Sequence, residues 1–166
     1  ISDARCLLGI VLGRDDAVLP HEVIARWEPS QNRHLDALRY RRQSGEPISR
    51  LRGWREFWSM RFEISPATLD PRSDSETLIE AATGWARTCT PSARILDLGT
   101  GSGCLLLACL AELPQATGIG IDISAEAVDV AHKKQTWSML LPSQGDLRHV
   151  GGVESFGALS LPGEYV

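Results

Sequence analysis

One ten-residue stretch constrains this chain more than any other. Residues 94–103 read Arg-Ile-Leu-Asp-Leu-Gly-Thr-Gly-Ser-Gly. An apolar run carrying one carboxylate, Asp97, leads into three glycines with one residue between each. That is the pattern of a buried strand that stops and turns sharply. Glycine takes positive φ at little cost, and it lets the backbone approach a ligand where a Cβ would collide. Residues 104–113 follow as an apolar run without Gly or Pro, long enough for a helix, and Ser102 is placed to cap it. Strand, glycine turn and helix make the first half of a nucleotide-type binding unit. The free N–H groups of the new helix face the ligand.

The second half follows in order. Residues 116–123, Ala-Thr-Gly-Ile-Gly-Ile-Asp-Ile, read as a short strand closing on Asp122, 25 positions after Asp97. An acid at the tip of a second strand suits a hydrogen bond to ribose hydroxyls. Ser124 then caps a predicted helix over 125–134, with Ala127, Val128 and Ala131 on one face. The dinucleotide fingerprint is G-x-G-x-x-G. Gly99, Gly101 and Gly103 are instead spaced G-x-G-x-G, with Asp97 two residues ahead. The resulting D-x-G-x-G-x-G resembles the first motif of class I methyltransferases, which bind S-adenosyl-L-methionine. A nicotinamide site and a purely structural turn are the alternatives.

Upstream, the punctuation predicts helices over 3–12, 19–27 and 29–44, and a turn-rich passage over 47–53. Residues 54–64 alternate as a hairpin, with Phe57, Trp58, Met60, Phe62 and Ile64. Its rings serve either to stack bases or, the preferred reading, to pack between two domains. Ser73 and Glu76 fit a capping box that opens a helix ending near Arg87. The fold class expected is α/β. A Rossmann-like domain (71–166, its part beyond 134 undefined) follows a helical bundle (1–53) and a linking hairpin (54–70).

Composition narrows the function. There is no run of 18 apolar residues, so no transmembrane helix is predicted. The opening Ile-Ser-Asp resembles no signal peptide and lacks Met, so a trimmed chain is expected. Cys6, Cys89, Cys104 and Cys109 form no C-x-x-C pair and read as reduced core thiols of a cytoplasmic protein. His21, His34, His132 and His149 lack metal spacing, so no metal site is expected. No G-x-S-x-G elbow suggests hydrolase chemistry. Residues 1–62 carry 11 Lys or Arg against 8 Asp or Glu, and the remainder 6 against 13. Such a bias reads first as a solvated helix face and second as a partner surface.

Several separate motifs then fall in one order. They are Gly45-Glu46-Pro47, Arg50-Leu51-Arg52-Gly53, Glu56-Phe57, Phe62, Leu69-Asp70-Pro71-Arg72-Ser73-Asp74-Ser75-Glu76, and Ile95 through the glycine turn. This order resembles the protein glutamine N5-methyltransferases that modify peptide-chain release factors, the PrmC/HemK family, over about residues 3–132. The resemblance implies an S-adenosyl-L-methionine cofactor and a release-factor partner bearing a Gly-Gly-Gln loop. It implies a cytoplasmic monomer needing neither nucleic acid nor membrane. It implies cofactor contacts at Asp97, Gly99, Thr100, Gly101, Ser102 and Gly103, with Asp122 on the ribose and Ser75 over the cofactor. Ser73 stands where the family often has Pro.

The family's catalytic Asn-Pro-Pro-Tyr does not occur, and the only Asn is Asn32. In the family that Asn and a neighbouring carbonyl grip the glutamine amide, so no catalytic residue is assigned here. The pattern is lost after Lys134, and a fragment, missing segments or an altered frame is expected. Trp137 weakly echoes an adenine-covering aromatic, and Asp146 reads as a turn residue. The competing readings are a non-catalytic remnant of the family and a relative that methylates a ribosomal-protein glutamine.

Overall fold

The computed structural model describes residues 2–15, 18–90 and 92–132, and the backbone of 145–149. Contacts divide the chain into two units, the first ending at Gly53.

The first unit is helical, with α1 (Asp3–Val11), α2 (Pro20–Arg26), a 3-10 turn (Pro29–Gln31), α3 (Asn32–Gln43) and α4 (Ile48–Arg52). Pro20 occupies the first turn of α2, where its missing N–H is not needed. Leu7, Leu38 and Leu51 form the core, flanked by Ile10, Val11, Leu35 and Ile48. The passage read as turn-rich over 47–53 instead winds into α4. Burial of Leu51 supplies what local propensity lacks, and Gly53, at φ 83°, ends the helix. The basic look of α3 is largely neutralised within the unit. Arg39 pairs with Asp36, Arg41 with Glu46, and Arg42 with Asp3 at 2.7 Å.

The second unit opens with β1 (Trp54–Phe57) and β2 (Met60–Glu63), an antiparallel pair with Phe57 opposite Met60. Its two turn residues, Trp58 and Ser59, have φ of 51° and 57°. That is the left-handed geometry a two-residue hairpin demands, here held without glycine. The Trp58 indole donates to Glu112 Oε1 at 2.9 Å, and Arg87 pairs with the same carboxylate. Phe57 and Phe62 meet edge to face at 6.3 Å. With Met60 they bury against Ile79, Leu107, Ala108 and Cys109, so these rings are core within the second unit. The helix expected from Ser73 is α5 (Glu76–Cys89), entered through a 3-10 turn, Ser73–Ser75. The capping box does not form, since neither start uses a side-chain cap.

The chain then alternates β3 (Arg94–Leu98), α6 (Cys104–Glu112), β4 (Thr117–Asp122), α7 (Ala125–Ala131) and β5 (Gly145–His149). The three strands are parallel in the order β3-β4-β5. This is the α/β, Rossmann-like arrangement, and the two acid-tipped segments do lie side by side. β3, read as buried, is only half-buried, because it is an edge of the described sheet. Asp146, read as a turn residue, lies in β5 opposite Ile119. Trp137 falls outside the described residues.

Helix α6 is apolar nearly all round and is correspondingly enclosed. Leu106 and Leu110 face a cluster with Ala86, Ala93, Val128 and Ala131, while Leu107 and Ala108 face the hairpin cluster. A Cβ at Gly118 on β4 would stand 2.5 Å from Leu106 Cδ1, so the missing side chain lets α6 settle onto the sheet. Of the cysteines read as core thiols, Cys109 is buried and Cys89 is exposed at the end of α5. Burial pushes the Cys109 thiol up to about 11. Among the described residues no helix is long and apolar enough to cross a membrane.

Candidate ligand-binding site

The turn after β3 is built on three left-handed glycines, Gly99 (φ 74°), Gly101 (φ 56°) and Gly103 (φ 76°). L side chains resist that conformation, which explains the spacing. A Cβ would meet nothing at Gly99 and only Gly99 O, 4.0 Å away, at Gly101, so these two positions border open space. At Gly103 a Cβ would lie 3.5 Å from Leu107 Cδ1 and 3.7 Å from Ala131 Cβ, where the turn presses on the helices.

Four of the turn amides have a defined acceptor, Gly103 N–H donating to Thr100 O at 2.8 Å. Gly99 N–H and Thr100 N–H both donate to Ile121 O, at 2.8 and 3.0 Å. Gly101 N–H donates to Asp122 Oδ2 at 2.8 Å, and Ser124 N–H to Asp122 Oδ1 at 2.9 Å. Asp122 is buried, and both its oxygens bind backbone. The acid that closes β4 thus holds the glycine turn against the start of α7. Ser124 caps α7 as the sequence suggests, accepting from Ala127 N–H at 3.2 Å. Ser102 does not cap α6. Gly103 takes the cap position in the left-handed conformation, and Ser102, a residue 5% exposed, has a buried hydroxyl that makes no well-formed hydrogen bond, its polar neighbour being the Cys104 thiol.

Asp97 Oδ2 accepts from the Thr100 hydroxyl at 2.8 Å. Burial holds the Asp97 carboxyl above the ordinary aspartate range. The Thr100 hydroxyl opposes the shift, and the neighbouring Asp122 charge adds to it. The folded state therefore binds this proton more tightly than the unfolded chain does. Stability from this group is full below the unfolded pKa and declines as pH rises to the folded one. Asp97→Asn is expected to remove that decline. Urea midpoints of the two proteins should converge near pH 4 and separate towards neutrality, the variant being the more stable (the ordinary aspartate pKa is about 3.9). Parallel midpoints across that range would contradict the assignment.

The turn borders a cleft of about 360 Å³. Residues 99–102 form one wall, residues 69–72 and Ser75 the other, with Cys104 and Leu105 also lining it. The structure thus brings Ser75, Gly99, Thr100, Gly101 and Ser102 around one space. Asp97, Gly103 and Asp122 stand behind its lining and support it. The resemblance lays the segment 71–76 over the cofactor and singles out Ser75 from it; Pro71 and Arg72 of that segment also line the cleft, while Leu69, Asp70, Cys104 and Leu105 were missed by the sequence reading. A larger cavity of about 510 Å³ beside the hairpin tip, lined in part by Glu56, Glu76 and Glu112, contains none of the expected site residues.

No family model matches the chain. Among solved structures, the plantazolicin methyltransferase BpumL in complex with SAH is similar at 27% identity and TM-score 0.36, over 45% of this chain and 27% of that one. An O-methyltransferase family protein from Burkholderia thailandensis is similar at 22% identity and TM-score 0.37, over 45% of this chain and 22% of that one. Sequence relatives reach much further along the chain. The release factor glutamine methyltransferase of Rhodospirillum rubrum is 46% identical over 129 residues, 78% of this chain and 39% of the relative. That of Escherichia coli K12 is 44% identical over 131 residues, 79% of this chain and 47% of the relative. The chain spans less than half the length of these curated relatives. Over that matched stretch, the chain is similar in sequence to curated release factor glutamine methyltransferases.

Proposed function

We propose that the chain forms the cofactor-binding part of an S-adenosyl-L-methionine-dependent methyltransferase. The activity proposed for the whole protein is N5-methylation of the glutamine in the Gly-Gly-Gln loop of a peptide-chain release factor, carried out in the cytoplasm by a monomer. The observation that carries the cofactor reading is the buried Ser102 hydroxyl in the cleft wall, which makes no well-formed hydrogen bond, beside glycines whose missing side chains keep the space open. A buried hydroxyl without a partner costs roughly 1–3 kcal/mol, and a polar ligand group would relieve that cost. The residues present therefore fit a small polar ligand laid along the turn.

In this reading the wall of Gly99, Thr100, Gly101 and Ser102 receives the amino-acid end, with Gly103 fixing the turn and Ser75 facing it across the cleft. Asp97 sets the turn through Thr100 and places negative charge behind the cationic end of the ligand. Asp122 serves the ribose. Each of its oxygens already accepts one backbone N–H and retains a second acceptor site. When bound, the cofactor supplies an electrophilic methyl group on sulfur. The protein's share is alignment, which in well-oriented systems is worth ~7–11 kcal/mol. An amide nitrogen is a poor nucleophile and depends heavily on that alignment. The Asn-Pro-Pro-Tyr that would orient it is absent from the 166 residues, and Asn32 lies on α3 in the first unit.

The expected result is cofactor binding without robust turnover. Calorimetry should give heat with S-adenosylhomocysteine and none with NAD. A Gly-Gly-Gln peptide should be methylated by these 166 residues only near background. Heat with NAD alone would overturn the cofactor assignment, and brisk methylation would overturn the role given to the absent motif. The missing motif also favours a second reading, a non-catalytic remnant that keeps its helical unit for engaging a partner.

A further inference from the structure

We infer that Arg72 binds the carboxylate at the amino-acid end of the ligand and so selects for ligands that carry one. This rests on the cofactor reading above and assigns a further residue to the same site. Arg72 is the one cation among the residues that line the cleft, in the wall facing residues 99–102. Its side chain is exposed, and no carboxylate pairs with it among the described residues. Its backbone, by contrast, is fixed. The preceding Pro71 is buried, Arg72 itself is extended (φ −110°, ψ 143°), and its carbonyl accepts Ser75 N–H at 3.0 Å to open the turn before α5. Arg72 therefore lines the cleft from an anchored stretch of backbone, with an exposed side chain.

The electrostatics of the cleft call for such a group. Asp97 and Asp122 lie behind the glycine wall. These two acids suit a sulfonium and an ammonium, but they repel a carboxylate. A zwitterionic amino-acid end fits only if a cation offsets them at one point. A guanidinium can meet a carboxylate through two parallel hydrogen bonds, which a lysine ammonium cannot reproduce.

The test is calorimetry with two ligands that differ by one group, S-adenosylhomocysteine and its decarboxylated analogue. It is run on the wild-type chain and on Arg72→Gln and Arg72→Lys, with circular dichroism confirming the fold of each. Arg72→Gln is expected to weaken S-adenosylhomocysteine by about tenfold or more, the scale of a lost charge-assisted hydrogen bond. It should leave the decarboxylated analogue unchanged. Arg72→Lys should fall between Arg72→Gln and wild type for the first ligand alone. Equal affinity of wild type and Arg72→Gln for S-adenosylhomocysteine would overturn the inference while leaving the cofactor reading intact, and so would equal losses for both ligands. Failure of the wild-type chain to bind either ligand would overturn the cofactor reading and this inference together.

Discussion

Asp122→Ala is expected to lower the stability of the second unit by about 2–4 kcal/mol and to abolish measurable S-adenosylhomocysteine binding. The stability figure follows from two hydrogen bonds to a charged group, each worth about 1.5–3 kcal/mol, with partial rescue by water at the cleft side. Gly101 N–H and Ser124 N–H lose their acceptor together, so the glycine turn and the start of α7 are released at once. Asp122→Asn separates the two roles. Its amide oxygen can serve one N–H, while its NH2 faces the other donor, so an intermediate stability loss is expected. Chemical denaturation gives the first quantity and calorimetry the second. An Asp122→Ala protein as stable as wild type would show that the turn holds its shape without the clamp. An unstable variant that still bound ligand at wild-type affinity would remove Asp122 from the site.

Leu107→Ala is expected to cost about 2–5 kcal/mol, the range for truncating a fully buried leucine. Leu107 is 0% exposed. Its side chain joins the hairpin cluster, lies 3.5 Å from where a Gly103 Cβ would stand, and its N–H donates to Gly103 O at 2.9 Å. The cavity would open directly beneath the turn, so ligand affinity should fall along with the denaturation midpoint. Cys109→Ala removes only a sulfur from the same cluster and should cost clearly less. Equal losses from the two substitutions would mean that the hairpin cluster collapses around either gap.

How legible this was from sequence depends on how local each cause is. Positive φ is a property of single residues, so Gly99, Gly101 and Gly103 declared the turn unaided. The short capping loop at Ser124 is equally local, and it formed as read. The cap at Ser102 looked just as local and failed. The third glycine takes the cap position in the left-handed conformation, and the Ser102 hydroxyl is buried without capping the helix. Helix α4 and the ladder position of Asp146 were missed for the same reason. Burial of Leu51 and pairing with Ile119 are set by tertiary partners, which periodicity over seven residues does not report. Asp122 illustrates the site itself. Its place at a strand tip was readable, whereas its service to two backbone amides depends on where the turn and α7 meet.

The bare backbone at Gly118 reaches further than its own strand. Leu106 occupies the room a methyl group would need there, and Leu107, next along α6, supports the turn from below. The depth of the pocket is therefore set in part from beneath, by how low α6 can sit. Variation at a position that no ligand touches could tune what the pocket admits, leaving every wall residue as it is.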